Sequence, residues 1–117
     1  MTSPQVPGVA HLDPPDAKRH VDGGAMLLDV RNADEWEAGH VDGATWIPMN
    51  HIVDRQGELP TNREIVVICK VGGRSGRVAE ALVAAGYDAA NVAGGAEAWQ
   101  AAGLPIVTSD GQPGTVA

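Results

Sequence analysis

Cys69 is the only cysteine of the chain, and the residues after it are Lys70-Val71-Gly72-Gly73-Arg74-Ser75. Residue types in that order suit the activation of a thiol. Adjacent glycines let the backbone take positive φ values and leave room for a ligand to approach closely. Successive amides in such a turn can point inward as an anion-binding nest. A helix that begins directly after the turn adds free N–H groups and the positive end of its dipole. A thiolate, the nucleophilic form of cysteine, is stabilised by all three. Lys70, Arg74 and Arg77 lie close behind the cysteine, on a chain with only 8 Lys and Arg and a formal net charge of -7. The same cradle would hold an anionic substrate or a persulfide on Cys69. Most lone cysteines are small buried hydrophobes at a strand end. That reading explains neither the glycines nor the local cations.

The elements that must position this loop are legible as short apolar runs. Ile65-Val66-Val67-Ile68 is unbroken and β-branched, the pattern of a strand buried on both faces in a parallel sheet. Cys69 then sits at the carboxyl end of that strand, the edge where open α/β sheets bind ligands. Val78, Leu82 and Ala85 recur at helical spacing, predicting a helix over 75–85 that stops at Gly86. Met26 to Val30 reads as a second central strand, with Asp29 and Arg31 at the same edge as Cys69. For that pair an ion pair that fixes the edge and, for Arg31, contact with a substrate are both open. Strands are also expected at 9–10, 44–47 and 89–92, and helices at 14–21, 33–38 and 96–102. Asp13 before Pro14 and Pro15 fits a helix N-cap. Gly94-Gly95 lacks G-x-G-x-x-G spacing and any basic residue, so it is assigned to turn geometry, against the cysteine loop. Residues 49–62 break the pattern, with a helical turn expected at 51–55. Strands alternating with helices imply an α/β domain with a mainly parallel five-stranded sheet, helices on both faces and right-handed crossovers.

At 117 residues the chain suits one domain, here read as residues 9–106 with flexible segments at 1–8 and 107–117. With no Phe and 3% aromatic residues, its core is built mainly from Val, Leu, Ile and Ala. An excess of acid, 15 Asp and Glu, argues against nucleic acid or an anionic membrane as partner. One cysteine excludes an internal disulfide. No apolar run reaches membrane-spanning length and no signal-peptide pattern opens the chain, so a cytoplasmic protein is expected. His11, His20, His40 and His51 have no paired spacing with each other or with Cys69, so no metal is proposed and no cofactor is implied. His40 invites a Cys–His reading. Lying between Gly39 and Val41 at a strand entry, it is read instead as a hydrogen-bonded structural residue.

The cysteine loop resembles the C-x-x-G-x-R-S active-site loop of single-domain rhodaneses. Leu28-Asp29-Val30-Arg31, Glu35-Trp36, Gly39-His40-Val41-Asp42-Gly43-Ala44 and Ile47-Pro48 resemble that family's upstream series in the same order, and Gly94-Gly95 with Trp99 its downstream G-G-x-x-x-W. The resemblance covers roughly residues 9–106. It implies a five-stranded rhodanese-like fold and a sulfurtransferase in which Cys69 carries a persulfide. Lys70, Val71, Gly72, Gly73, Arg74 and Ser75 would bind the substrate, with Lys70 and Arg74 attracting the donor. Asp29 and Arg31 would support the site, Asp29 in a structural role. A small anionic sulfur donor such as thiosulfate and a thiol or protein acceptor are the implied partners. A persulfide carrier or regulatory module with little free turnover is the alternative. A phosphatase or arsenate reductase fits less well, because their loops place five residues between Cys and Arg and this one places four. Tandem-domain thiosulfate enzymes commonly carry basic side chains at the positions of Glu35 and Val71. The acid and the apolar residue here bear on thiosulfate use, not on persulfide chemistry. Trp46 stands where the family often has a polar residue, at the pocket rim.

Overall fold

The computed structural model describes residues 8–117, so the expected lead-in lies, Gly8 apart, outside the described residues. Five strands, β1 (Ala10–Leu12), β2 (Met26–Asp29), β3 (Thr45–Trp46), β4 (Ile65–Ile68) and β5 (Ala89–Val92), form one sheet in the order β1-β5-β4-β2-β3. Every neighbouring pair is parallel. Four helices connect them: α1 (Pro14–Asp22), α2 (Ala33–Ala38), α3 (Gly73–Ala84) and α4 (Gly95–Ala101). This is the α/β architecture expected from the alternating runs.

The central strand shows why. All of β4 is buried. Because side chains alternate across a strand, Ile65, Val67 and Cys69 join one core with Val78 and Leu82 of α3. Val66 and Ile68 join the other, with Ala17 of α1 and Ala96 and Trp99 of α4. Each fully buried Val or Ile contributes about 1.5–3 kcal/mol relative to exposure. A run apolar on both faces is therefore stable only between two helical layers.

Local signals set the helix ends. The Asp13 carboxylate accepts from the Asp16 amide at 2.9 Å and the two prolines follow in the first turn. α3 begins two residues before its expected start, at Gly73, because Gly72 turns the chain in the left-handed region (φ 103°) and serves as N-cap. Arg74 and Ser75 thereby fall in the first turn of the helix. Residues 49–62 hold two short 3-10 turns, Met49–His51 and Gln56–Glu58. Among the described residues no helix is long and apolar enough to cross a membrane.

The segment expected as a flexible tail instead folds back on the domain. His40 and Val107 exchange backbone hydrogen bonds at 2.8 Å each, Gly114 donates to the Ile106 carbonyl at 2.8 Å and Thr115 to that of Ala38 at 2.9 Å. Two glycines permit this approach. A Cβ on Gly39 would stand 2.6 Å from the Thr115 carbonyl oxygen, and one on Gly114 would stand 2.8 Å from the Gly39 Cα. A polar, glycine- and proline-containing sequence conceals such docking, because the attachment is made mostly by backbone, with the isolated side chain of Val116 packed against the second core. Deleting residues 107–117 should lower unfolding stability by about 1–3 kcal/mol, the worth of a few partly exposed hydrogen bonds. Chemical denaturation of the full and truncated chains measures it, and an unchanged midpoint would mean the segment adds nothing.

Candidate active site

β4 delivers Cys69 to the carboxyl edge of the sheet, where the residue is 0% exposed. Its sulfur is met by the Gly72 amide at 3.1 Å and the Ser75 hydroxyl at 3.1 Å. Burial pushes the thiol up, but hydrogen bonds from the Ser75 hydroxyl and from the amides of Ser75, Gly72 and Val71 outweigh it and hold the thiol below the ordinary cysteine range. More of it is therefore thiolate near neutral pH than for a free cysteine. The sulfur is thus faced by the Gly72 amide of the glycine loop and by the Ser75 hydroxyl.

The loop is fastened from the other side by α4. Ala96 donates to the Cys69 carbonyl at 2.8 Å and Glu97 to the Lys70 carbonyl at 3.0 Å. Gly95 allows it, since a Cβ there would lie 2.5 Å from both carbonyl oxygens. The Gly94-Gly95 turn accordingly packs against the cysteine loop, as its lack of phosphate-binding features suggested.

The substrate-binding candidates separate into different roles. Val71 is 58% exposed and Lys70 half-buried, on the open side of the loop. Arg74, expected to attract a donor, instead donates from Nη1 and Nη2 to the two carboxylate oxygens of Glu35, each at 2.8 Å. This bidentate bond holds the Glu35 carboxyl below its usual range and raises Arg74. Glu35 also accepts from the Asn32 amide at 3.1 Å, closing a capping box on α2. The acid at position 35 therefore has a partner in the loop itself.

Asp29 and Arg31 form the second pair, and it is buried, with side chains 2% and 0% exposed. Arg31 Nε and Nη2 donate to the Asp29 carboxylate at 2.8–3.0 Å, the Arg31 amide adds a bond at 3.0 Å, and Nη2 also reaches the Gly39 carbonyl at 2.8 Å. Of the two readings open for Arg31, this arrangement favours the ion pair that ties the end of β2 to the residue after α2. Nη1 has no hydrogen-bond partner among the described residues. His40 is not turned to Cys69. Its Nδ1 donates to the Trp36 carbonyl at 2.8 Å and its ring stacks on Trp36 at 3.6 Å. Trp36 stacks in turn on Trp46 at 5.7 Å, and Trp46 Nε1 donates to the Arg31 carbonyl at 2.9 Å.

Sequence reasoning missed two side chains, Asn91 and His11. Asn91, 3% exposed in the middle of β5, accepts from the Ser75 hydroxyl at 2.6 Å, and its Nδ2 lies 3.1 Å from His11 Nδ1. The available signal was a single amide side chain inside an apolar strand. Its significance depends on β1, β5 and α3 being neighbours. No group of three or more His, Cys, Asp or Glu able to hold a metal occurs among the described residues.

The site can be compared with those of known proteins. The rhodanese-like domain model matches residues 13–102. A sulfurtransferase of Allochromatium vinosum is 37% identical over 87 residues, covering 74% of this chain and 81% of that protein. A thiosulfate sulfurtransferase of Arabidopsis thaliana is 32% identical over 120 residues, covering 90% and 88%. Among solved structures, a rhodanese-related protein from Thermoplasma volcanium superposes with a TM-score of 0.79 at 26% identity, covering 84% of this chain and 97% of that one.

The cradle depends on the left-handed turn at Gly72, where a Cβ would also stand 3.2 Å from the Gly94 nitrogen. Gly72→Ala should cost about 1–2 kcal/mol of stability and raise the Cys69 pKa as the Gly72 amide swings off the sulfur. The pH dependence of alkylation by iodoacetamide reads the second effect; an unshifted profile would mean that this amide does not hold the thiolate.

Proposed function

The chain belongs to the rhodanese-like family of sulfurtransferases, and from that premise we propose that it moves sulfane sulfur from a donor to a nucleophilic acceptor through a persulfide on Cys69. The observation that carries this reading is a buried sulfur with the Gly72 amide and the Ser75 hydroxyl both at 3.1 Å. The Cys69 thiolate attacks the outer sulfur of the donor. A new S–S bond forms, the donor's S–S bond breaks, and its electron pair leaves on sulfite or on a thiolate. The persulfide anion is held by the loop amides, which are fixed before the charge arrives and so need no reorganisation. An acceptor thiolate, or cyanide in an assay, then attacks the outer sulfur, and the electron pair returns to Cys69.

The charges around the site bear on which donor is used. Asp29 cancels Arg31 and Glu35 cancels Arg74. Lys70 and Arg77 are the cations of the loop region that make no ion pair among the described residues. A dianion such as thiosulfate would approach the Glu35 carboxylate with the Arg74 guanidinium already occupied. A persulfide donor, whose reacting S–S group carries at most one charge, meets less opposition at the sulfur, and this supports a carrier that passes sulfur between thiols or proteins over rapid turnover of free thiosulfate. The formal net charge of -7 disfavours nucleic acid and anionic membranes as partners. A reducing cytoplasmic setting would keep the single thiol available.

Intact mass before and after incubation with glutathione persulfide tests the chemistry. A gain of one sulfur atom, removed by cyanide and absent from Cys69→Ser, is expected; a gain retained by the serine variant would end the scheme. The charge argument has its own test. Glu35→Gln keeps the capping oxygen and frees Arg74, and should lower the KM for thiosulfate about fivefold, the equivalent of a partly exposed ion pair, with little change for the persulfide donor. A KM that rises or stays unchanged would refute it.

A further inference from the structure

β5 reads Ala89-Ala90-Asn91-Val92, and Asn91 is its one polar side chain, 3% exposed. Its surroundings are specific at both ends of the amide. Oδ1 accepts from the Ser75 hydroxyl at 2.6 Å, while Nδ2 donates to the Gly72 carbonyl at 3.2 Å and lies 3.1 Å from His11 Nδ1. The Gly72 contact settles which end is which, because a carbonyl oxygen can only accept. Gly72 and Gly76 border this side chain: a Cβ on either would be in ordinary van der Waals contact with Nδ2, at 3.8 Å and 3.5 Å. Ser75 Oγ stands between Asn91 Oδ1 at 2.6 Å and Cys69 Sγ at 3.1 Å.

A hydroxyl has a single proton to donate, so Ser75 serves one of these acceptors at a time. When Cys69 is a thiol, its S–H donates to Ser75 Oγ and the hydroxyl donates to Asn91. When Cys69 is a thiolate, the hydroxyl turns to the anion, because a charge-assisted hydrogen bond is the stronger one. Asn91 Oδ1 then loses its donor in a buried place. When Cys69 carries a persulfide, the charge lies on the outer sulfur. The inner sulfur is then neutral and a weak acceptor, and the hydroxyl returns to Asn91.

We propose that Asn91 is a positioning residue acting through the Ser75 hydroxyl, which favours the states with an uncharged inner sulfur, thiol and persulfide, over the bare thiolate. Its effect is to retain a loaded sulfur on the protein between donor and acceptor. The persulfide half of this inference rests on the proposed function; the thiol half does not.

Asn91→Leu isolates the effect. Leucine keeps the branching and approximate size of asparagine and removes only its hydrogen-bonding ends. The Gly72 carbonyl retains its bond from the Gly76 amide at 3.1 Å, and His11 is exposed to water. The charged groups that bear on the sulfur are Asp29 and Arg31 at the end of β2, Glu35 of α2, Lys70, Arg74 of α3 and His11 of β1. Asp29, Arg31, Glu35, Lys70 and Arg74 are unchanged by this substitution; His11 loses its 3.1 Å contact with Asn91 Nδ2, a change common to both Ser75 backgrounds that cancels in a double-variant cycle.

The experiment measures the Cys69 pKa from the pH dependence of iodoacetamide alkylation in the wild-type protein, Asn91→Leu, Ser75→Ala and the double variant. Intact mass then gives the persulfide fraction after equilibration with glutathione persulfide and glutathione above that pKa. Asn91→Leu should lower the pKa by about half a unit to one unit, the equivalent of one neutral hydrogen bond, and lower the persulfide fraction about three- to tenfold. Both effects should vanish when Ser75 is alanine. A raised pKa in Asn91→Leu, as a loosened loop would give, overturns the proposal. So does a shift of equal size in the Ser75→Ala background. If Asn91→Leu does not fold, Asn91→Ala takes its place in the cycle with the same expected signs. A wild-type protein that loads no sulfur while the pKa cycle behaves as expected refutes the persulfide reading but supports the Asn91–Ser75 coupling.

Discussion

A sulfur anion removed from water persists only where fixed donors replace the water it has lost. Cys69 is fully buried, and its low pKa depends on the protein supplying those donors at its own sulfur. The rest of the edge is arranged to that end. Gly72 turns left-handed so that its amide faces Sγ, and α3 starts at once so that Ser75 arrives within reach. From the opposite side the first amides of α4 take the carbonyls of Cys69 and Lys70. The loop is thus gripped by its carbonyls while its N–H groups stay free for the anion. Loss of either grip would return the thiol toward the behaviour of any buried cysteine, whose pKa burial raises.

Charge at the same edge is matched locally, although the chain as a whole is strongly acidic. Asp29–Arg31 is buried and shares its guanidinium with the Gly39 carbonyl, so it joins β2 to the residue that also receives the C-terminal segment. Such a pair contributes little net stability against an apolar replacement but is costly to break from one side. Glu35–Arg74 is partly exposed and joins α2 to the first turn of α3. Together the pairs bring three separate pieces of chain to one geometry and cancel four charges among themselves, while Lys70 and Arg77 make no ion pair among the described residues.

Much of this was readable because it is local. Ile65–Ile68 could be read as a central strand from four consecutive β-branched residues, since a run with no polar face has nowhere to go but between two layers. The glycines after Cys69 marked a turn that departs from ordinary backbone, and the helical spacing of Val78 and Leu82 located α3 behind it. The role of Arg74 was read as attraction of the donor, because residue type alone does not reveal that Glu35, far away in sequence, occupies its guanidinium. The C-terminal segment looked loose for a related reason. Its attachment uses backbone groups, two glycines and the single apolar side chain of Val116, which together carry no pattern of hydrophobicity.

The order of strand and helix, the sheet edge that carries the candidate site and the cysteine with its glycine loop were determined by the sequence alone, because each follows from periodicity, turn residues or adjacency over a few positions. Which side chains stand around that sulfur was decided only by the tertiary structure. Asn91 meets Ser75 because β5 lies beside β4 and beneath α3, and His11 meets Asn91 because β1 pairs with β5 in that register. Such contacts join residues far apart in the chain, and no local spacing encodes the packing that brings them within hydrogen-bond range.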